Sequence, residues 1–146
     1  MFLADPAATE AAGRALAAAL QVGDVVALSG PLGVGKTSFA RGLIGALGFD
    51  GEVPSPSFGI VIPYIPPEVR VPVWHVDLYR VENTHELDEL GLDDARSDSA
   101  LVIEWPERLG SGLWSDAVQI VFEIEGWGRS LTAKVPASWE ARWPLR

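Results

Sequence analysis

Cysteine is absent from this 146-residue chain, which excludes a disulfide framework, a thiolate zinc site and a cysteine nucleophile, and fits a reducing compartment. Basic residues are scarce: 11 Lys plus Arg stand against 20 Asp plus Glu, a formal net charge of −9. Nonspecific nucleic-acid affinity rests on clustered cations that release counterions, so strong direct binding to RNA or DNA is not expected. No run approaches the roughly 20 apolar residues of a membrane span, so a soluble, cytoplasmic protein is expected. The apolar stretch from Ala11 to Leu20 has no basic segment before it and is interrupted by Arg14, so it does not read as an export signal. Repeats, low-complexity tracts and linkers are missing too.

What remains is ordinary for one globular unit. Hydrophobic residues make up 48% and charged residues 21%, and the length suits a single domain, 1–146, with a sizeable core. Thr9 reads as the cap of an Ala-rich helix running to Leu20. Asp24 to Ser29 reads as a buried strand, and Ser38 to Leu47 as a helix stopped by Gly48. The segment from Glu52 to Ser57, with two prolines, reads as a loop. Phe58 to Ile65 and Val71 to Val76 read as two strands in a hairpin-like connection, with Pro63 and Pro72 marking edges or ends. Thr84 is expected to cap a short acidic helix that Gly91 ends, its run Glu86 to Glu89 forming a solvated face. Ala100 to Ile103 reads as a buried strand. Ala117 to Glu125 and Ser130 to Val135 read as an antiparallel pair joined at Gly126-Trp127-Gly128.

Gly30-Pro31-Leu32-Gly33-Val34-Gly35-Lys36-Thr37 matches the phosphate-binding pattern G-x-x-x-x-G-K-[ST], between an expected strand and an expected helix. Glycines let backbone N–H groups curl around phosphate oxygens, and the helix that follows points its positive end at the same charge. One of only two lysines in the chain occupies the position that reaches the β- and γ-phosphates. The expected nucleotide contacts are Gly30, Leu32, Gly33, Val34, Gly35, Lys36, Thr37 and Ser38, with ATP and Mg²⁺ as the ligands. Such a loop needs a carboxylate at the end of another strand, and Asp77 and Glu104 both sit there. The motif Asn-Lys-x-Asp is absent, and Asp77-Leu78-Tyr79-Arg80 has Arg where a Ras-like GTPase has Gly, so a guanine-specific switch of that type is not expected. His75 and His85 are set aside as a metal pair: no soft ligand accompanies them, and His75 is expected to face away from Asp77 in an alternating strand.

These segments together resemble a known family, the bacterial tRNA threonylcarbamoyladenosine biosynthesis ATPases TsaE, also called YjeE. Gly30 to Thr37 resembles its phosphate loop, and Ser55-Pro56-Ser57-Phe58 its Ser-Pro-Thr-[Phe/Tyr] switch loop, with Ser57 where the family usually has Thr. His75-Val76-Asp77-Leu78-Tyr79-Arg80, Glu104-Trp105-Pro106-Glu107 and Gly128-Arg129 resemble its later motifs in the same order. The resemblance covers most of the chain.

The resemblance implies that Thr37 and Glu104 hold Mg²⁺, that Asp77 positions or activates the attacking water, and that Arg129 lies near the nucleotide. It also implies catalytic roles for Lys36, Asp77 and Glu104, a switch at Ser55 and Ser57, slow ATP hydrolysis, and stimulation by the partners TsaD and TsaB. Weaker site candidates are Thr9, Arg80, Trp105 and Arg108. Trp105 is weighed against a core role, and the two arginines against surface ion pairs. The expected fold is an α/β, P-loop NTPase-like three-layer fold, a mixed sheet with a parallel centre and antiparallel additions. A small P-loop kinase and a nonhydrolysing nucleotide-gated binding module stand as alternatives; metabolite phosphorylation without partners would favour the first, and partner affinity that follows ATP without hydrolysis the second.

Overall fold

Alternate residues of the apolar run Ala100–Glu104 serve two different cores, and that division sets the architecture of the computed structural model, which describes residues 1–145. Ala100 and Val102 pack among one cluster with Leu16, Phe39, Leu43 and Ile44, while Leu101 and Ile103 pack among another with Leu78, Leu92 and Ala95. A strand buried on both faces is the signature of a parallel sheet covered by helices on both sides.

The elements run β1 (Phe2–Leu3), α1 (Pro6–Ala17), β2 (Val25–Ser29), α2 (Lys36–Ala46), β3 (Val61–Tyr64), β4 (Val73–Asp77), α3 (Thr84–Leu90), α4 (Leu92–Ala95), β5 (Ala100–Glu104), β6 (Val118–Glu125) and β7 (Gly128–Lys134). Short 3-10 segments follow β5 and β7, at Pro106–Gly112 and Ala137–Trp139. The seven strands form one sheet in the order β1-β7-β6-β2-β5-β4-β3. Strand β2 is parallel to β5 and β6, and β4 to β5; the pairs β3–β4, β6–β7 and β1–β7 are antiparallel. The expected α/β fold, with its parallel centre and antiparallel additions, is what forms.

Helices α1 and α2 cover one face and meet backbone to backbone. A Cβ on Gly13 would lie 2.0 Å from the Phe39 carbonyl oxygen, and one on Gly42 would lie 2.0 Å from that of Glu10. Two glycines, one per helix, therefore set the separation that buries Phe39, Leu43 and Ile44 completely. Each such side chain contributes about 1.5–3 kcal/mol through the apolar area it removes from water. That packing fixes the start of α2, where the glycine-rich loop ends.

Several boundaries move for identifiable reasons. The cap of α1 is Asp5, whose carboxylate accepts the Ala8 N–H at 2.8 Å, and Pro6 opens the helix; Thr9 is already inside its first turn. The cap of α3 is Asn83, whose side chain accepts the Glu86 N–H while Glu86 reaches back to the Glu82 N–H, so a capping arrangement exists one residue before Thr84. Strand β3 begins at Val61, not Phe58, because Ile60 takes a positive φ of 67° and its N–H turns back to Pro56 O. Pro63 sits on the edge strand β3, where its missing donor costs nothing, and Gly91 ends α3 in a left-handed conformation. Among the described residues no helix is long and apolar enough to cross a membrane.

Candidate nucleotide-binding site

Strand β2 and helix α2 are joined by the glycine-rich loop, and its shape requires those glycines. Gly30 has φ 148°, and a Cβ there would lie 2.7 Å from Phe122 O and 2.9 Å from Val34 Cγ1. Gly35, with φ 120°, is the residue before α2, and no side chain caps that helix. Its first N–H groups thus face the loop cavity without a side-chain acceptor, the arrangement that suits an anion.

Lys36 is 4% exposed. Its ammonium donates to the carbonyls of Gly30 and Pro31, the latter at 3.3 Å, and lies 3.7 Å from the centre of the Trp105 ring. Burial lowers its pKa, and the opposing pull of Glu104, Glu107 and Asp77 does not fully offset it.

The carboxylates come from the ends of β4 and β5, which run parallel with Asp77 opposite Glu104. Thr37, in the first turn of α2, donates from Oγ1 to Glu104 Oε1 at 2.9 Å and to Oε2 at 3.1 Å. His75 Nε2 lies 2.7 Å from Glu104 Oε2. Asp77 is held differently: Oδ1 accepts the Tyr79 N–H at 2.9 Å, and Oδ2 accepts the Ser57 hydroxyl at 3.1 Å. Ser55 and Ser57 share a 2.7 Å hydrogen bond, so the proline-flanked loop is tied to Asp77 through a pair of hydroxyls.

An open cavity of about 230 Å³ joins these groups, lined by Leu32, Gly33, Gly35, Lys36, Thr37, Ser38, Ser55, Ser57, Asp77, Glu104 and Trp105. Val34 and Arg129 lie on the other flank of the loop. There a second cavity of about 220 Å³ is bounded by the loop, by Asp5 and Thr9 of the N-terminal segment, and by Trp127 and Arg129 of the β6–β7 turn. Arg129 Nε donates to Val34 O at 3.2 Å. A larger cavity, about 440 Å³, lies elsewhere, between α3–α4 and the first 3-10 segment; Asp88, Asp93 and Asp94 line it with no Lys or Arg, a poor match to a polyphosphate.

Two expectations need correction. His75 does not face away from Asp77: residues two apart in a strand share a face, and His75 is buried on the same side, against Glu104. His85 is far more exposed and pairs with Glu89 on α3. Arg80 and Arg108 make none of the ion pairs found among the described residues; Arg80 lies 4.4 Å from the Phe58 ring centre and Arg108 6.0 Å from that of Tyr79.

Trp105, weighed between core and site, serves both: it packs against the core cluster of Leu78, Leu101 and Ile103 and lines the cavity, its ring 4.8 Å from that of Tyr79. Its backbone is left-handed, φ 60° and ψ 50°, a conformation that costs a residue with a Cβ about 1–2 kcal/mol. Sequence reasoning passed over the indole of Trp127 and the hydrogen bond from His75; the two-residue strand period puts His75 on the face of Asp77, but its partner Glu104 follows only from the register of β4 against β5.

Comparison with known proteins places the chain among relatives. The family described as "Threonylcarbamoyl adenosine biosynthesis protein TsaE" matches residues 3–131. The Streptomyces coelicolor protein named tRNA threonylcarbamoyladenosine biosynthesis protein TsaE is 43% identical over 111 residues, covering 74% of each chain. The protein of the same name from Bacillus subtilis is 35% identical over 123 residues, 84% of this chain and 75% of its own. The crystal structure of Bacillus subtilis YdiB superposes with a TM-score of 0.80 at 28% identity, covering 97% of this chain and 88% of that one.

Proposed function

The chain belongs to the TsaE family of threonylcarbamoyladenosine biosynthesis proteins, and from that premise we propose that it is a Mg²⁺-dependent ATPase that serves this tRNA modification in the cytoplasm as an accessory to TsaD and TsaB. The observation that carries the reading is the convergence of Lys36, Thr37, Asp77 and Glu104, from three separate stretches of chain, on one cavity at the C-terminal ends of β2, β4 and β5. Open α/β sheets bind their ligands at that end.

The residues suit Mg²⁺ in their chemistry. Thr37 and Glu104 present hard oxygen donors within 3.1 Å of each other. Among the described residues no three His, Cys, Asp or Glu side chains converge, which is compatible with Mg²⁺ because it takes one or two carboxylates and completes its shell with water and phosphate. Thr37 and Glu104 would hold the ion, which when bound neutralises phosphate charge.

The remaining work falls to the chain itself. The N-terminus of α2 and the glycine loop bind the phosphates, and Lys36 leaves its carbonyl partners to meet the β- and γ-phosphates. Asp77, held as an acceptor by Tyr79 N–H and Ser57, orients the attacking water and takes its proton. Trp105 closes one side of the cavity. Arg129, beside Val34, faces the nucleoside flank.

The test is ATP turnover by the purified protein, alone and with TsaB and TsaD from the same organism. Slow turnover that rises with the partners is expected. Bound nucleotide without stimulation would shift the reading to a nonhydrolysing module, and rapid phosphorylation of a metabolite would shift it to a kinase.

A further inference from the structure

We infer that His75 is a positioning residue that fixes Glu104 toward the metal through a hydrogen bond from Nε2; the inference rests on the reading of Glu104 as a Mg²⁺ ligand. His75 stands in the middle of β4, fully buried, opposite Val102 of β5, with Glu104 one pleat further along that neighbouring strand. A carboxylate only accepts hydrogen bonds, so the 2.7 Å contact with Glu104 Oε2 places the ring hydrogen on Nε2. The other nitrogen points to the same tautomer: Nδ1 is buried with no partner, where a hydrogen would be an unsatisfied donor.

The need for such a residue follows from the division of labour at Glu104. Among the described residues two side chains donate to it, Thr37 and His75. Thr37 is itself a proposed ligand, and its hydroxyl reaches both carboxylate oxygens, 2.9 Å from Oε1 and 3.1 Å from Oε2, so it does not by itself choose between them. His75 meets Oε2 alone, and its hydrogen bond there keeps Glu104 in one orientation. A valine or leucine would pack into this buried site without an orphaned nitrogen. The polar ring is explained by what it does to Glu104, as an outer partner that orients a ligand.

The experiment compares wild type, His75→Leu and His75→Gln, the last keeping a donor near the Nε2 position. ATP binding is titrated in EDTA and at stepped Mg²⁺, with Lys36→Ala alongside. A long-range ¹H–¹⁵N correlation reads the His75 tautomer in the wild type. The expected result is a hydrogen on Nε2, unchanged affinity for ATP in EDTA, a Mg²⁺ requirement about 10- to 100-fold higher in His75→Leu, and substantial recovery in His75→Gln. A ring hydrogen on Nδ1 with none on Nε2, or a folded His75→Leu protein with the wild-type Mg²⁺ requirement, overturns the inference. If His75→Leu does not fold, the tautomer and the His75→Gln titration decide it. Equal ATP binding by wild type and Lys36→Ala would instead overturn the reading of the whole site, a result distinct from failure of the histidine's role alone.

Discussion

Glu104 and Asp77 sit opposite each other on adjacent strands and are almost equally buried, at 2% and 4% exposure, yet they are held by different parts of the molecule. Glu104 is gripped by the framework, by Thr37 at the start of α2 and His75 inside β4. Asp77 has one oxygen on a backbone N–H and the other on Ser57 of the proline-flanked loop. The difference teaches that the carboxylate assigned to the metal is set when the sheet and α2 fold, whereas the one assigned to water depends in part on where a loop rests.

That comparison can be broken by asking whether the two carboxylates fail in different ways. Asp77→Ala is expected to lower ATP turnover by about 10²–10⁴-fold, the usual contribution of a positioned acid or base, while Mg·ATP affinity stays within about threefold. Glu104→Ala is expected to raise the Mg²⁺ concentration needed for tight ATP binding by about tenfold or more, with binding in EDTA unchanged. If titration found the two variants interchangeable in these readouts, the division of roles would be wrong.

Smaller changes sharpen it. Ser57→Ala removes one hydrogen bond to Asp77, worth about 1 kcal/mol, so single-turnover rates should fall about fivefold with no change in Mg²⁺ requirement. A third carboxylate gives the baseline for a surface pair. Asp116 accepts two hydrogen bonds from Arg96, and that partner holds its carboxyl below the usual carboxylate range. A depressed carboxyl contributes stability above its unfolded pKa and loses it as pH falls through the folded value, so the contribution should begin to fade as pH drops below about 4 and be gone only below the lowered folded pKa. The side chain is 55% exposed, so Asp116→Asn should cost about 0.5 kcal/mol or less in denaturant unfolding at pH 7, with turnover untouched.

The parts of the site that were legible in the sequence are those with local causes. Glycines before Lys36-Thr37, an apolar run ending in Glu104 and another ending in Asp77 announce a strand, a loop and two strand-end carboxylates without any knowledge of neighbours. What was not legible depends on partners distant in sequence. The pairing of His75 with Glu104 exists because β4 lies beside β5 in one particular register. Strand β1 is two residues long and forms only because β7 offers an edge, so no periodicity could reveal it. Trp105 reached the cavity through a left-handed backbone that propensity argues against. The caps at Asp5 and Asn83 lay four residues and one residue before the expected ones, because Thr9 and Thr84 are plausible by type and only the path of the chain decides among such candidates.

The rung that places Asp77 opposite Glu104 also governs which kinds of genetic change this site survives. A substitution at either position leaves every other side chain on its own face, so its effect is confined to one group. Removing a single residue inside Ala100–Glu104 would bring Trp105 onto the last rung and turn the glutamate toward the side of the sheet where Ile103 now meets Leu78 and Leu92. The altered chain would keep all its motif residues, in order, and lose the arrangement that joins them. For this centre the unforgiving event is a change of length.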